Sequence, residues 1–464
     1  MAGKQIPVYL FLLLATFSVS FSAPLHYQTL HLTSLPKPPE TQTLSWPTQF
    51  PDSESVSETN LALPLLHVDH LSSTPKSTPE SLFKNRLRRD AFRVKTLSAG
   101  RPQSGNFGSR VVSGASLGSG EYFTRIGVGT PAKNFYMILD TGSDIVWLQC
   151  LPCLKCYIQT DPIFNPNIST SFQSVPCTSP LCNQLDRPGC NSSRKICQYR
   201  VSYGDGSFTT GDLTTETLTF GRKNIVPNIA VGCGHTNKGL FNAAAGLLGL
   251  GRGKLGFPVQ ASGEKFSYCL VEPSVSIKKS SYLLFGESAV PKKAAFTRLL
   301  TNPKVNTFYY VGLEGFSVGG TRVRGINPSL FKIDGYGYGG VIVDSGTSVT
   351  RLTQSAYVAL RNAFRAGATN LKNTSSDISL FDTCFDLSGL TSVSVPTVAF
   401  HFDGVDVSLP STNYLIPVDN EGTVCFAFAG TTDGLSIIGN IQQQGFRVVF
   451  DLAGQKLGFV PQSC

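Results

Sequence analysis

Apolar positions in this chain follow three patterns. From Ile6 to Phe21 they run almost without a break, with Lys4 ahead of them and the small residues Ser20, Ser22 and Ala23 at the far end. A positive start, an apolar core and a small-residue exit predict a secretory signal peptide over residues 1–22. The run covers 16 residues, short of the ~20 needed to span a bilayer. Between 81 and 97, SLFKNRLRRDAFRVKTL spaces Leu82, Phe83, Leu87 and Phe92 along one face of a short helix. Beyond Tyr122, short runs of Val, Ile, Phe, Thr and Tyr are broken by Gly and Pro, which predicts strands. Helical spacing is rare there, and SAYVALRNAFRAGA (355–368) carries it best.

The strand pattern repeats itself. YMILDTGSDIVW (136–147) is an apolar strand ending in Asp-Thr-Gly, and GVIVDSGTSVTRL (340–352) is one ending in Asp-Ser-Gly. IGVGTP (126–131) precedes the first and FSVGG (316–320) the second. Two apolar residues and a glycine follow each at similar distance: Leu247-Leu248-Gly249 lies 109 residues after Asp140, and Ile437-Ile438-Gly439 lies 95 after Asp344. The expectation is an all-β, bilobal unit, with an N-terminal lobe over 111–295 and a C-terminal lobe over 296–464.

Charge divides the chain differently. The formal net charge is +9, but residues 1–110 hold 11 Lys/Arg against 7 Asp/Glu, so the remainder carries only +5. Spread over some 350 residues, that excludes a nucleic-acid footprint. Residues 23–110 also hold 10 of the 28 prolines and no cysteine. They read as a removable pro-segment. Its six cations between Lys84 and Lys95, Arg86, Arg88 and Arg89 among them, would sit on an acidic site until the pH falls. SGNFGSRVVSGASLGSG (104–120) is the expected cleavage zone.

All twelve cysteines lie between Cys150 and Cys464, an even number behind a signal peptide, which predicts disulfides. CLPCLKC (150–156) has no histidine nearby to complete a zinc site, so no metal and no cofactor are expected. Sequons at Asn167, Asn191 and Asn373 fit a secreted glycoprotein. Only His235 and His401 follow residue 110, which argues against Ser–His and Cys–His catalysis. Both are expected to be structural, His235 in a loop and His401 on a strand face.

Two aspartates in tight turns supply a chemistry that needs no histidine. Glycine two residues after each Asp lets backbone N–H groups approach the carboxylate. The hydroxyls of Ser143 and Thr347, three residues after each Asp, are placed to reach an outer carboxylate oxygen. If the turns face one another, the two carboxyls cannot both ionise easily and share a proton. One can then take a proton from water while the other donates to a carbonyl oxygen.

These residues resemble the pepsin-like aspartic proteases, nepenthesin type, over about 122–460. QYRVSYGDGSFTTGDLTTETLTF (198–220) is similar to the substrate-covering flap, and the Cys150–Cys197 stretch to the insert of that type. The resemblance implies Asp140 and Asp344 as catalytic pair, Thr141 and Ser345 as cross-braces, and Gly142 and Gly346 as backbone donors. Ser143 and Thr347 would hold the outer oxygens. Tyr203, Gly204, Gly206 and Ser207 would form the flap, steadied by the indole N–H of Trp147. It also implies the bridges Cys150–Cys153, Cys156–Cys233, Cys177–Cys197, Cys182–Cys190, Cys269–Cys464 and Cys384–Cys425. The function expected is a secreted acid endopeptidase acting on polypeptides. It would be a monomer without membrane anchor or nucleic-acid partner, in the cell-wall space or else the vacuole, with its own pro-segment as intramolecular inhibitor. The alternative is a catalytically inactive relative that binds another protein, such as a cell-wall hydrolase.

Overall fold

Strand Lys133–Asp140 is exposed at its first two residues and buried at the last six, so it enters the molecule from the surface and ends inside. It pairs antiparallel with Tyr122–Val128 and parallel with Gly246–Gly249. Val146–Gln149 in turn runs parallel to residues 231–234 of the long strand Asn224–Lys238 and antiparallel to Gly246–Gly249. The second half repeats this plan. Val341–Val343 runs parallel to Ser436–Ile438, and Thr350–Thr353 runs parallel to Phe428–Thr431 while bridging antiparallel to Ile437. The computed structural model describes residues 25–35, 61–69, 78–98 and 122–464, apart from 203–206, 222–223, 240, 242, 262–263 and 272–280. The expected signal peptide, the cleavage zone 104–120 and the flap tip with Tyr203, Gly204 and Gly206 lie outside the described residues.

The fold is all-β and bilobal. A sheet of Lys265–Cys269, Ser281–Phe285, Ala295–Leu300, Arg447–Asp451 and Lys456–Val460 joins strands from both halves of the chain. Strand Leu61–His67 extends it, lying between Ser281–Phe285 and Tyr122–Val128. The helix Gln354–Gly367 buries Tyr357, Leu360 and Phe364, each side chain contributing roughly 1.5–3 kcal/mol by its removal from water. Helix Pro79–Ser98 buries Phe83, Leu87, Asp90, Arg93 and Leu97 at helical spacing, while Leu82 and Phe92 are only partly covered. No helix among the described residues is long and apolar enough to cross a membrane.

Four implied cysteine pairings are corrected. Cys150 joins Cys233, not Cys153, because it continues the strand that runs beside Cys233 and its N–H donates to Gly234 C=O at 2.9 Å. That leaves Cys153 to join Cys156. Cys182 and Cys197 are both buried in the N-terminal core and join each other, while Cys177 and Cys190 meet nearer the surface. Cys269–Cys464 and Cys384–Cys425 coincide with the implied bridges. Asn167 and Asn373 are exposed and Asn191 is half-buried.

Candidate active site

Each lobe delivers its aspartate by the same device. Gly249 stands opposite Asp140 in the neighbouring strand, and Leu250 N–H donates to Asp140 C=O at 2.8 Å. In the second lobe Asp344 N–H donates to Ile438 C=O at 3.1 Å. The glycine after each apolar pair is a steric necessity. A Cβ on Gly249 would stand 2.5 Å from Asp144 C=O oxygen, and one on Gly439 would stand 2.5 Å from Ser348 C=O oxygen. Asp144 and Ser348 each lie four residues after their lobe's aspartate.

The two turns meet. Thr141 Oγ1 accepts from Ser345 N–H at 2.9 Å and lies 3.2 Å from both Ser345 Oγ and Asp344 Oδ1. Gly142 N–H donates to Asp140 Oδ1 at 3.0 Å, and Thr347 Oγ1 donates to Asp344 Oδ2 at 2.6 Å. Behind Asp344, Gln443 Nε2 donates to its backbone oxygen at 3.1 Å and Asn440 Nδ2 to that of Ser345 at 3.0 Å. These two amides lie just past Ile437-Ile438-Gly439, in SIIGNIQQQ. Both carboxylates are 1% exposed.

Ser143 departs from expectation. Its Oγ is buried without a hydrogen-bond partner among the described residues, so it does not reach Asp140 as Thr347 reaches Asp344. Its backbone oxygen instead accepts from Gly251 N–H at 2.8 Å, tying the turn to the loop that follows strand Gly246–Gly249. Trp147 is fully buried with Phe241 edge-on at 5.0 Å, and its indole N–H has no partner among the described residues. Ser207, at the base of the flap hairpin where Ser202 pairs with Phe208, is 3% exposed. His235 lies against Pro152 C=O and Asp212. His401 bridges Ser317 Oγ and Asp406 Oδ1 at 2.7 Å each, across a sheet face.

Arg93, from the helix Pro79–Ser98 ahead of the two lobes, occupies the site. Its Nη2 donates to Asp140 Oδ1 at 2.6 Å and to Asp344 Oδ1 at 2.5 Å, and its Nε to Asp344 Oδ2 at 2.8 Å. One nitrogen thus holds both carboxylates, whose oxygens lie within about 5 Å of each other by those two bonds. The guanidinium fills space that only glycine leaves. A Cβ on Gly142 would stand 2.5 Å from Nη2, and one on Gly346 2.7 Å from Cζ. Burial works against ionised Asp344, but the Arg93 charge and the bonds from Arg93, Thr347 and Thr141 hold its carboxyl below the usual carboxylate range. Burial likewise works against charged Arg93, and the two aspartates reverse it, raising its hold on the proton.

A second contact fixes the helix one turn earlier. Asp90 Oδ1 accepts from Ser348 N–H at 2.5 Å and Val349 N–H at 3.2 Å, and Arg351 pairs with Oδ2. The cations singled out in the sequence act elsewhere. Arg86 and Arg89 donate to Asp69 at 3.1 and 3.2 Å, and Arg88 is exposed. Arg93 is one of the six cations expected on an acidic site, but neither it nor Asp90 stands out from the run by charge. Their signal was position: Phe83, Leu87, Asp90, Arg93 and Leu97 share one helical face.

Residues 122–287 match the family described as xylanase inhibitor N-terminal, and 308–461 the one described as xylanase inhibitor C-terminal. Aspartyl protease family protein 2 of Arabidopsis thaliana is 58% identical, over 96% of each chain. The chain belongs to the pepsin-like aspartic proteases of nepenthesin type. Aspartic proteinase nepenthesin-1 of Nepenthes gracilis is 41% identical over 86% of this chain and 89% of its own. Among solved structures, edgp shares the fold with a TM-score of 0.59 at 23% identity, over 73% of this chain and 91% of its own. Asp140 and Asp344 come one from each lobe, and Arg93 lies between their carboxylates.

Proposed function

We propose that the chain is a secreted acid endopeptidase made as an inactive precursor. Residues 1–22 direct export, 23–110 are removed, and the remaining lobes hydrolyse polypeptides. The observation that carries this reading is the single Arg93 nitrogen bonded to both aspartates. Once Arg93 leaves, nothing neutralises two carboxyls so close together, and they retain one proton between them. A water held between them attacks the peptide carbonyl carbon. The ionised carboxyl takes the water proton while the protonated one donates to the carbonyl oxygen, giving a neutral tetrahedral diol. Its collapse breaks the C–N bond, with a proton passing to the leaving nitrogen.

Processed protein should cleave denatured globin or casein at pH 3–5 and be blocked by pepstatin. Asp140→Asn or Asp344→Asn should abolish turnover while leaving the fold intact by circular dichroism. A folded, processed enzyme without cleavage would sink this reading. It would leave the second one, binding without catalysis, which the description of the matching families as xylanase inhibitors favours.

A further inference from the structure

The strand Tyr27–His31 lies antiparallel on Ser392–Pro396, with Tyr27 opposite Pro396 and His31 opposite Ser392. Among the described residues, Ser392–Pro396 has no other strand partner. The contact is built at side-chain level as well. Leu30 enters the main hydrophobic core at 3% exposure. Gln28 Nε2 donates to Leu409 C=O at 3.0 Å and to Tyr414 Oη at 2.7 Å, and Tyr27 Oη to Gly367 C=O at 3.1 Å. Ser411 Oγ reaches back to Thr29 C=O at 3.0 Å.

The Gly-Gly turn noted in FSVGG is the floor for the start of this segment. A Cβ on Gly319 would stand 2.7 Å from Leu25 Cδ2, and one on Gly320 would stand 2.8 Å from His26 Nδ1. His26 N–H donates to Gly319 C=O at 2.8 Å. None of these partners belongs to either Asp-x-Gly turn. The strand begins at Tyr27, close behind the expected signal-peptide cut after Ser22.

We propose that this C-lobe groove is a peptide-binding site in its own right, and that its ligand is the strand Leu25–Leu35 of the pro-segment, held in trans after the chain is cut. The inference rests on residues 23–110 being cleaved from the lobes. Cutting between 98 and 122 severs the covalent link but none of the contacts above. Backbone pairing on an unpaired edge supplies affinity, and the Leu30 and Gln28 pockets supply selectivity. The released segment therefore stays attached by this strand after Arg93 has left the cleft, and the groove opens only when the strand itself dissociates.

The test uses full-length precursor, cut in the 99–120 stretch by itself or by an added protease and then freed of its pro-segment. Labelled peptide LHYQTLHLTSL (residues 25–35) is titrated onto it by fluorescence anisotropy. We expect saturable binding to the cut enzyme and none to the uncut precursor, whose groove is filled. A Leu30→Asp peptide should bind at least about tenfold more weakly, the loss expected for a buried side chain made charged. Gly319→Ala in the enzyme should weaken binding similarly, because its Cβ takes the place of Leu25, without changing cleavage of a short substrate. Equal binding of the Leu30→Asp peptide, binding to the uncut precursor, or displacement by pepstatin would each overturn the proposal. So would a cut enzyme that is a dimer and takes up no peptide, which would give the groove to a second copy. Anisotropy reads this site whether or not the protein proves to be a protease.

Discussion

A guanidinium with no exposed surface needs its charge answered on the spot, and Arg93 is answered by the two aspartates it covers. The pairing is strong but incomplete. Among the described residues, Arg93 Nη1 is buried without a hydrogen-bond partner, a penalty of about 1–3 kcal/mol against the docked state. The plug is therefore held by charge and poised to leave when charge is lost. Replacing it by methionine keeps the volume and removes the cation that holds Asp344 ionised. In an Arg93→Met precursor, conversion to the cut form should begin at higher pH than in the wild type, read as the midpoint of a pH series on gels. Arg88→Ala should leave that midpoint in place, because Arg88 is exposed. An unchanged midpoint for Arg93→Met would remove this residue from the mechanism. At this scale the two aspartates and their glycines were legible from short motifs. Arg93 was not, since a cation in a cationic run carries no mark of which one turns inward.

At the scale of elements, the leading helix is seated by Asp90 as much as by Arg93. Asp90 receives two backbone N–H groups from the loop after Asp344 and the Arg351 guanidinium, all inside the protein. Asp90→Asn leaves Arg351 buried without its counterion, a loss of about 3–5 kcal/mol by the usual cost of breaking a buried pair. The precursor should melt or shed its helix earlier at neutral pH, measured by proteolytic susceptibility of residues 79–98, while the processed enzyme is unaffected. The strands that place each aspartate were readable because apolar runs and the repeated apolar-apolar-Gly element have a local cause. The cysteine pairing in the insert was not. Cys150 faces Cys233 only because two strands 83 residues apart run parallel, and nothing near Cys150 in the sequence encodes that.

Across the whole molecule, acid acts with opposite sign on the plug and on the body. Asp344 sits below the usual carboxylate range because Arg93 and its hydroxyl partners outweigh burial, and Asp69 does so because His67, Arg86 and Arg89 outweigh it. Docking of the leading segment is therefore fully stabilised above the ordinary carboxylate pKa of about 4 and weakens as the pH falls through the depressed values. Asp144 behaves the other way. Burial pushes its carboxyl up to about 6, against bonds from Thr307 Oγ1 and Gly253 N–H at 2.8 Å each. Its contribution is whole below about 4 and lost as the pH rises through about 6. Thr307 lies in the C-terminal half, so its bond to Asp144 Oδ2 links the two lobes. Asp144→Asn mimics the protonated form. It should flatten the thermal stability of the processed enzyme between pH 4 and 7, raising it at pH 7 by about 3 kcal/mol on the scale of 1.36 kcal/mol per pKa unit. A variant whose stability still falls as steeply as the wild type's over that range would assign the acid preference of the body to other groups.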